Sequence, residues 1–151
     1  MDMLLRQAKA LLESTRDPWA NMANLSAFLY ERLENVNWAG FYRVRKDGLL
    51  LGPFQGKPAC VHLPLGKGVC ARSAETERSV MVDDVHAFPG HIACDADSRS
   101  ELVIPVFNEN RVIAVLDIDS PRPARFTEQD KVRMETLVRL LEKHTDWSTL
   151  T

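Results

Sequence analysis

Leu102-Val103-Ile104-Pro105-Val106-Phe107 and Arg111-Val112-Ile113-Ala114-Val115-Leu116-Asp117-Ile118-Asp119 flank the polar turn Asn108-Glu109-Asn110, and the pairing of these two apolar runs decides the fold. The second run is apolar on both faces through Leu116, as expected of a central strand covered on each side. The two-residue period then puts Asp117 and Asp119 on one face, continuing the line of Ile113 and Val115, while Ile118 stays with Leu116 on the other. A three-residue loop over 108–110, with Asn110 left-handed, pairs residue 101 with residue 117 and sets Glu101 facing Asp117. A two-residue loop shifts the register by one and turns Glu101 to the wrong face unless a bulge corrects it. Three carboxylates crowded at the end of an apolar face repel one another. Such crowding raises the proton affinity of at least one of them and makes it an acid near neutral pH.

Upstream lies His91-Ile92-Ala93-Cys94-Asp95-Ala96-Asp97-Ser98-Arg99-Ser100-Glu101, a thiol among polar, turn-forming residues that hands the chain to the first apolar run. Two further cysteines, Cys60 and Cys70, complete a set of three. A buried cysteine is commonly a small hydrophobe, yet thiols and carboxylates recur here and invite one explanation. The 151 residues suit one domain, and 45% hydrophobic and 26% charged residues are ordinary for a globular protein. A formal charge of -2 with dispersed lysines and arginines gives no nucleic-acid surface. No run approaches the ~20 apolar residues of a membrane span, and the amino end lacks the order of a secretory signal, so the expected location is cytoplasmic. Thiols there are kept reduced, which favours redox chemistry or metal binding over a static disulfide framework. A metal centre using Cys94, His91, His86 and the aspartates finds little support, because no CxxC or HxxxH pair is present.

The remaining segments frame these groups. Leu4, Leu5, Ala8, Leu11 and Leu12 form the stripe of a short helix over 4–12. Asp17-Pro18 is an N-cap followed by proline at the first helical position, and Trp19, Met22, Ala23, Ser26, Leu29 and Leu33 predict a second helix ending near Asn35. Trp38 to Val44, a Lys46-Asp47-Gly48 turn and Leu49-Leu50-Leu51 form a hairpin. Trp38 and Tyr42, four apart, share a face and either make a stacked wall or pack beneath a helix. Gly52-Pro53-Phe54-Gln55-Gly56-Lys57-Pro58 breaks the strand pattern, and Ala59 to Leu63 resumes it with Cys60 on the strand or at its margin.

Pro64 to Cys70 reads as a glycine-rich turn entering a helix through Thr76, without the Gly-Lys-Ser/Thr of a P-loop. In the first turn of that helix the dipole favours a Cys70 thiolate, a candidate nucleophile; a buried helical cysteine is the equal alternative. Residues 79–82 form a short strand, and the long irregular stretch 83–90 suggests a functional lid. Thr127 caps a closing helix with the stripe Met134, Leu137, Val138 and Leu141, while Thr145 to Thr151 carry no signal. The order of elements fits an α+β sandwich with terminal helices on one sheet face, loops on the other, and a pocket between sheet and loops.

Asn37-Trp38-Ala39-Gly40-Phe41-Tyr42, Gly52-Pro53-Phe54-Gln55-Gly56, Gly66-Lys67-Gly68-Val69-Cys70, Gly90-His91-Ile92-Ala93-Cys94-Asp95 and Val115-Leu116-Asp117-Ile118-Asp119-Ser120 resemble, in order, the motifs of the free methionine-R-sulfoxide reductases. The resemblance spans nearly the whole chain. It implies a single GAF domain over 1–151, with a six-stranded antiparallel sheet, helices behind it and a ligand pocket under loops. It further implies Cys94 as nucleophile, Cys60 as its resolving partner and Cys70 as an assisting third thiol. Glu101, Asp117 and Asp119 would bind and protonate the substrate, and Trp38 and Tyr42 would cradle its methyl end. No cofactor is implied beyond thioredoxin as external reductant, and a homodimer is compatible with the family. The rival expectation is a non-catalytic GAF module that binds a small molecule as a sensor, because a fold does not fix a function.

Overall fold

The computed structural model describes residues 1–92 and 94–150; Ala93, inside the Gly90–Asp95 motif, and Thr151 lie outside the described residues. The carboxylate-bearing hairpin is β5 (Ser100–Asn108) and β6 (Arg111–Ser120). Its turn is the two residues Glu109 and Asn110, at φ 52° and 65°, the left-handed pair that a tight hairpin uses. Asn108 therefore pairs with Arg111, and the expected three-residue loop is corrected to two. A bulge follows at once: Phe107 pairs with Val112 but Val106 pairs with Ala114, which leaves Ile113 as the extra residue.

The bulge restores the side-chain parity that the short turn removes. Glu101 lies opposite Asp119, and Val103 opposite Asp117. All three carboxylates thus share a face, but Glu101 is across from Asp119 rather than Asp117 as the three-residue loop had required. The bulge also moves Ile113 out of the expected carboxylate line. Ile113 packs with the apolar cluster on the opposite face, and Val112 takes its place on the carboxylate side.

One antiparallel six-stranded sheet runs β3-β2-β1-β6-β5-β4, with β1 spanning Trp38–Arg45, β2 Gly48–Gly56, β3 His62–Pro64 and β4 Val80–Val82. β1 pairs with β6 so that Trp38 is opposite Asp119, Gly40 opposite Asp117 and Tyr42 opposite Val115. The aromatic pair is thereby delivered to the carboxylate face. Gly40 leaves room there for β2, since a Cβ at that position would lie 2.3 Å from the Phe54 Cβ.

β2 does not break at Gly52 as its composition predicts. Gly40 pairs with Phe54 and Tyr42 with Leu51, so β2 carries an extra residue around Gly52-Pro53. Proline, which lacks an amide donor, is tolerated at such a bulge. Cys60 lies in the loop ahead of β3, which is shorter than the predicted strand.

Helices α1 (Met3–Leu12), α2 (Pro18–Arg32) and α4 (Glu128–His144) cover the other face. Asp17 caps α2 by accepting from Ala20 N at 2.8 Å, with Pro18 in the first turn. The buried stripe of α2 is Met22, Leu25, Ser26 and Leu29. Ala23, expected inward, is exposed, because it stands about 100° around the helix from Met22. The helix stops at Arg32, short of Asn35, which adopts φ 58°. Thr127 and Asp130 close α4 with a reciprocal capping box.

The tail after α4 is more structured than its sequence suggests. Trp147 enters the helix-side core, and Thr145 Oγ1 accepts from Asn21 Nδ2 at 2.9 Å. On the carboxylate face a short helix, α3 (Val69–Thr76), and loops complete a second, smaller cluster. Among the described residues no helix is long and apolar enough to cross a membrane.

Candidate active site

The second cluster encloses a cavity lined by Trp38, Tyr42, Cys70, Cys94, Glu101, Asp117 and Asp119, with His91, Asp95 and Ser98 at its loop side. Every residue that the family resemblance implies for the site lines it, except Cys60, which is covalently joined to Cys94; His86 of the weaker metal reading does not line it. The cavity floor is the sheet and its roof is the two cysteine-bearing loops.

Glu101 and Asp117 are buried, at 8% and 5% exposure, and Asp119 is partly buried beside them. Burial, then the Asp117 charge, holds the Glu101 carboxyl well above the usual carboxylate range. Burial and Asp119 do the same to Asp117, and burial and Glu101 to Asp119. Among the described residues no donor reaches Asp117 Oδ1. Three carboxyls crowded on one face resist ionising together, and one that keeps its proton is a proton donor.

Cys70 is the second residue of α3, and its Sγ lies 3.9 Å from Glu101 Oε2. The expected dipole-stabilised thiolate is not what this environment favours. Burial, together with the facing charges of Asp117, Glu101 and Asp119, pushes the thiol well above its ordinary pKa. Desolvation and three negative neighbours outweigh one short helix. Cys70 is the buried, protonated thiol of the alternative reading.

Cys60 and Cys94 form a disulfide with Cα atoms 5.5 Å apart. Several bonds fix the loops that carry them. Tyr42 donates its hydroxyl to Cys60 O at 2.8 Å, and Trp38 Nε1 donates to Lys57 O at 3.1 Å. Asn37 Nδ2 donates to Asp95 Oδ2 and Ser98 Oγ, both at 3.2 Å, while its backbone N–H bonds Asp119 O at 3.0 Å. The exposed Lys57–Asp97 ion pair at 2.7 Å ties one loop to the other.

Trp38 and Tyr42 stack at 5.9 Å between ring centroids and 23° between planes. They make the wall. Burial and the charge of Asp117 raise the Tyr42 pKa, so the ring keeps its proton and its bond to Cys60 O. Phe54 extends the wall, 5.1 Å from Trp38 at 14°.

Phe54, Asn37, Lys57 and Asp97 also frame the site, with no role that the local sequence pattern assigns. Phe54 was hidden in the Gly-Pro stretch that disguises β2, and its aromatic character was the available signal. Asn37 adjoins Trp38 in the motif, but its partners are at 95 and 98, out of reach of local pattern. The metal centre of Cys94, His91, His86 and the aspartates also loses its sulfur, because Cys94 is bonded to Cys60. His86 and His91 instead contact each other edge to face at 5.9 Å, and burial and His86 lower the His91 pKa.

The sequence matches the family described as GAF domain over residues 20–143. It is 50% identical over 140 residues to the free methionine-R-sulfoxide reductase of Escherichia coli, which covers 93% of this chain and 85% of that protein. The Saccharomyces cerevisiae free methionine-R-sulfoxide reductase is 36% identical over 151 residues, 95% of this chain and 84% of the relative. Among solved structures, reduced fRMsr of Staphylococcus aureus superposes with a TM-score of 0.92 at 47% identity, over 95% of this chain and 94% of that one. The Neisseria meningitidis free methionine-R-sulfoxide reductase in complex with its substrate gives 0.90 at 43% identity, over 93% and 85%. A GAF sheet that gathers three carboxylates beneath a cysteine pair, in a chain this similar to those enzymes, belongs to the free methionine-R-sulfoxide reductase family.

Proposed function

We propose that the chain is a single GAF domain over residues 1–151 that reduces free L-methionine (R)-S-oxide to L-methionine in the cytoplasm, with thioredoxin as the external dithiol. The observation that carries this reading is the shared cavity, in which the Cys60–Cys94 pair roofs the acidic set Glu101, Asp117 and Asp119. With the disulfide reduced, the Cys94 thiolate attacks the sulfoxide sulfur. A neutral carboxyl of the acidic set gives its proton to the sulfoxide oxygen. The oxygen passes to Cys94 as a sulfenic acid, and methionine leaves with its sulfur reduced by two electrons.

Cys60 then condenses with the sulfenic acid, releasing water and re-forming the disulfide. Thiol–disulfide exchange with thioredoxin returns both thiols. The remaining carboxylates hold the substrate's ammonium, a charge that an amide-linked methionine lacks. Trp38 and Tyr42 take the methyl and the polarised sulfur. Cys70, protonated and against Glu101, assists as a neighbour of the acid rather than as first nucleophile.

The test is methionine released per enzyme from free methionine-R-sulfoxide, for single Cys→Ser variants with and without dithiol. Cys94→Ser is expected to release none. Cys60→Ser is expected to release about one equivalent and to recycle poorly. Multiple turnover by Cys94→Ser at a near-normal rate would overturn the assignment. Absence of turnover in the unaltered chain would leave the sensor reading instead.

A further inference from the structure

The acidic set meets a third thiol, and this combination has a coordination chemistry apart from reduction. Cys70 Sγ, one Glu101 oxygen and one Asp117 oxygen all lie within 4.8 Å of one another. We propose that these three groups form a binding site for a thiophilic divalent cation of zinc's size, seated on the floor of the pocket, where it blocks the substrate's ammonium position. The binding stands independently of the catalytic reading; the blocking rests on it.

Geometry, chemistry and an unmet bond support the site. Tetrahedral zinc at ordinary bond lengths sets its sulfur and oxygen ligands about 3.5 Å apart, and two oxygens about 3.3 Å apart. Cys70 Sγ and Glu101 Oε2 are 3.9 Å apart, within a small side-chain adjustment of that spacing. Asp117 is 5% exposed and its Oδ1 accepts from no donor among the described residues. A buried carboxylate oxygen with no donor is satisfied by a shared proton or by a cation.

The donor set chooses the ion. One thiolate with two carboxylates suits a borderline-soft ion, whereas calcium takes six or more oxygens and magnesium keeps an octahedron largely of water and oxygen. Three protein ligands leave the fourth position for water. On binding, the Cys70 S–H bond is replaced by a sulfur–metal bond, its proton and any proton held by Glu101 or Asp117 pass to solvent, and the cation sheds coordinated waters. No group is oxidised or reduced. The positive charge also relieves the repulsion among carboxylates that the bare site bears.

The oxidised protein gives a clean test. With Cys60 and Cys94 joined, Cys70 is the free thiol of the three cysteines. Titration of oxidised protein with cobalt(II) should give one equivalent per chain and a thiolate-to-cobalt charge-transfer band, displaced by zinc(II). Cys70→Ser should lose the band, and Asp117→Asn should weaken binding at least about tenfold. Zinc should also slow alkylation of Cys70 in the unaltered protein after mild loosening with urea, a readout that needs no variant.

Free methionine, whose ammonium competes for the same carboxylates, should raise the apparent Kd for cobalt. Absence of the band, or cobalt binding that survives Cys70→Ser and is lost instead in His86→Gln, overturns the site. A band without methionine competition overturns the blocking. Protein that binds cobalt with the band but never reduces methionine-R-sulfoxide would defeat the catalytic reading alone.

Discussion

The two faces of one sheet are built from different chemistry. The helix side is packed from Leu12, Met22, Leu25, Leu29, Phe41, Ile104, Leu116 and Leu137, all essentially without solvent contact. The loop side mixes Val103 and Val115 with Trp38, Tyr42, Cys70, Glu101 and Asp117. Adjacent residues of a single strand serve both faces: Leu116 and Ile118 point one way, Asp117 the other. The helix face thus stabilises the fold by apolar burial, and the loop face places buried acids where an apolar core would have been more stable. A rigid sheet shared by both lets the first face hold the second in position.

Substitutions on each side should separate these roles. Leu137→Ala, wholly on the helix side, should lower stability by about 2–5 kcal/mol in urea denaturation while turnover per folded molecule is unchanged. A specific loss of turnover at full stability would break the division. Opening the Cys60–Cys94 bond, whose cysteines are 34 residues apart, should lower stability by about 4 kcal/mol through regained freedom of the unfolded chain. Denaturation with and without dithiol, compared with the same pair of curves for Cys60→Ser, measures it.

The acids predict a pH dependence of defined sign. Glu101, Asp117 and Asp119 hold protons more tightly in the folded chain than their ordinary pKa values allow. The native state therefore binds more protons than the unfolded one above about pH 4, and stability falls as pH rises from there. Asp117→Asn should flatten that fall and raise the urea midpoint near neutral pH, while slowing the reductive step. A steeper decline in the variant would contradict repulsion among the three carboxylates. Smallest, Thr127→Ala removes the α4 cap bond to Asp130 N and should cost about 1 kcal/mol by thermal denaturation, with no change in turnover.

What could be read along the chain was what depends on near neighbours. Asp17-Pro18 and Thr127 announced their helices because caps act within three residues. The shared face of Asp117 and Asp119 followed from strand period alone. Glu101 was harder, since its partner depends on a turn and a bulge whose errors cancel in parity but not in register. β2 was missed beyond Gly52 because the bulge that accommodates Pro53 is defined by β1, not by β2 itself. Ala23 faces out and Leu25, absent from the expected stripe, faces in, because a loosely hydrophobic helix leaves its inward face to be chosen by the sheet. Trp147 carries no periodic signal, and its burial is set by the ends of distant elements. The pocket membership of Asn37, Phe54 and Asp97 is likewise long-range. The pairing of Cys60 with Cys94 came from likeness to a family, not from spacing.

The single extra residue Ile113 gives the β5–β6 hairpin something like a reading frame. Removing or adding one amino acid between Arg111 and Ala114 would rotate the downstream strand by half a pleat and bury Asp117 and Asp119 in the oily layer beneath the helices, while a change of two would keep them in phase. Length variation tolerated at this tip should therefore come in even steps, a constraint on how the chain can be edited that no individual side chain imposes.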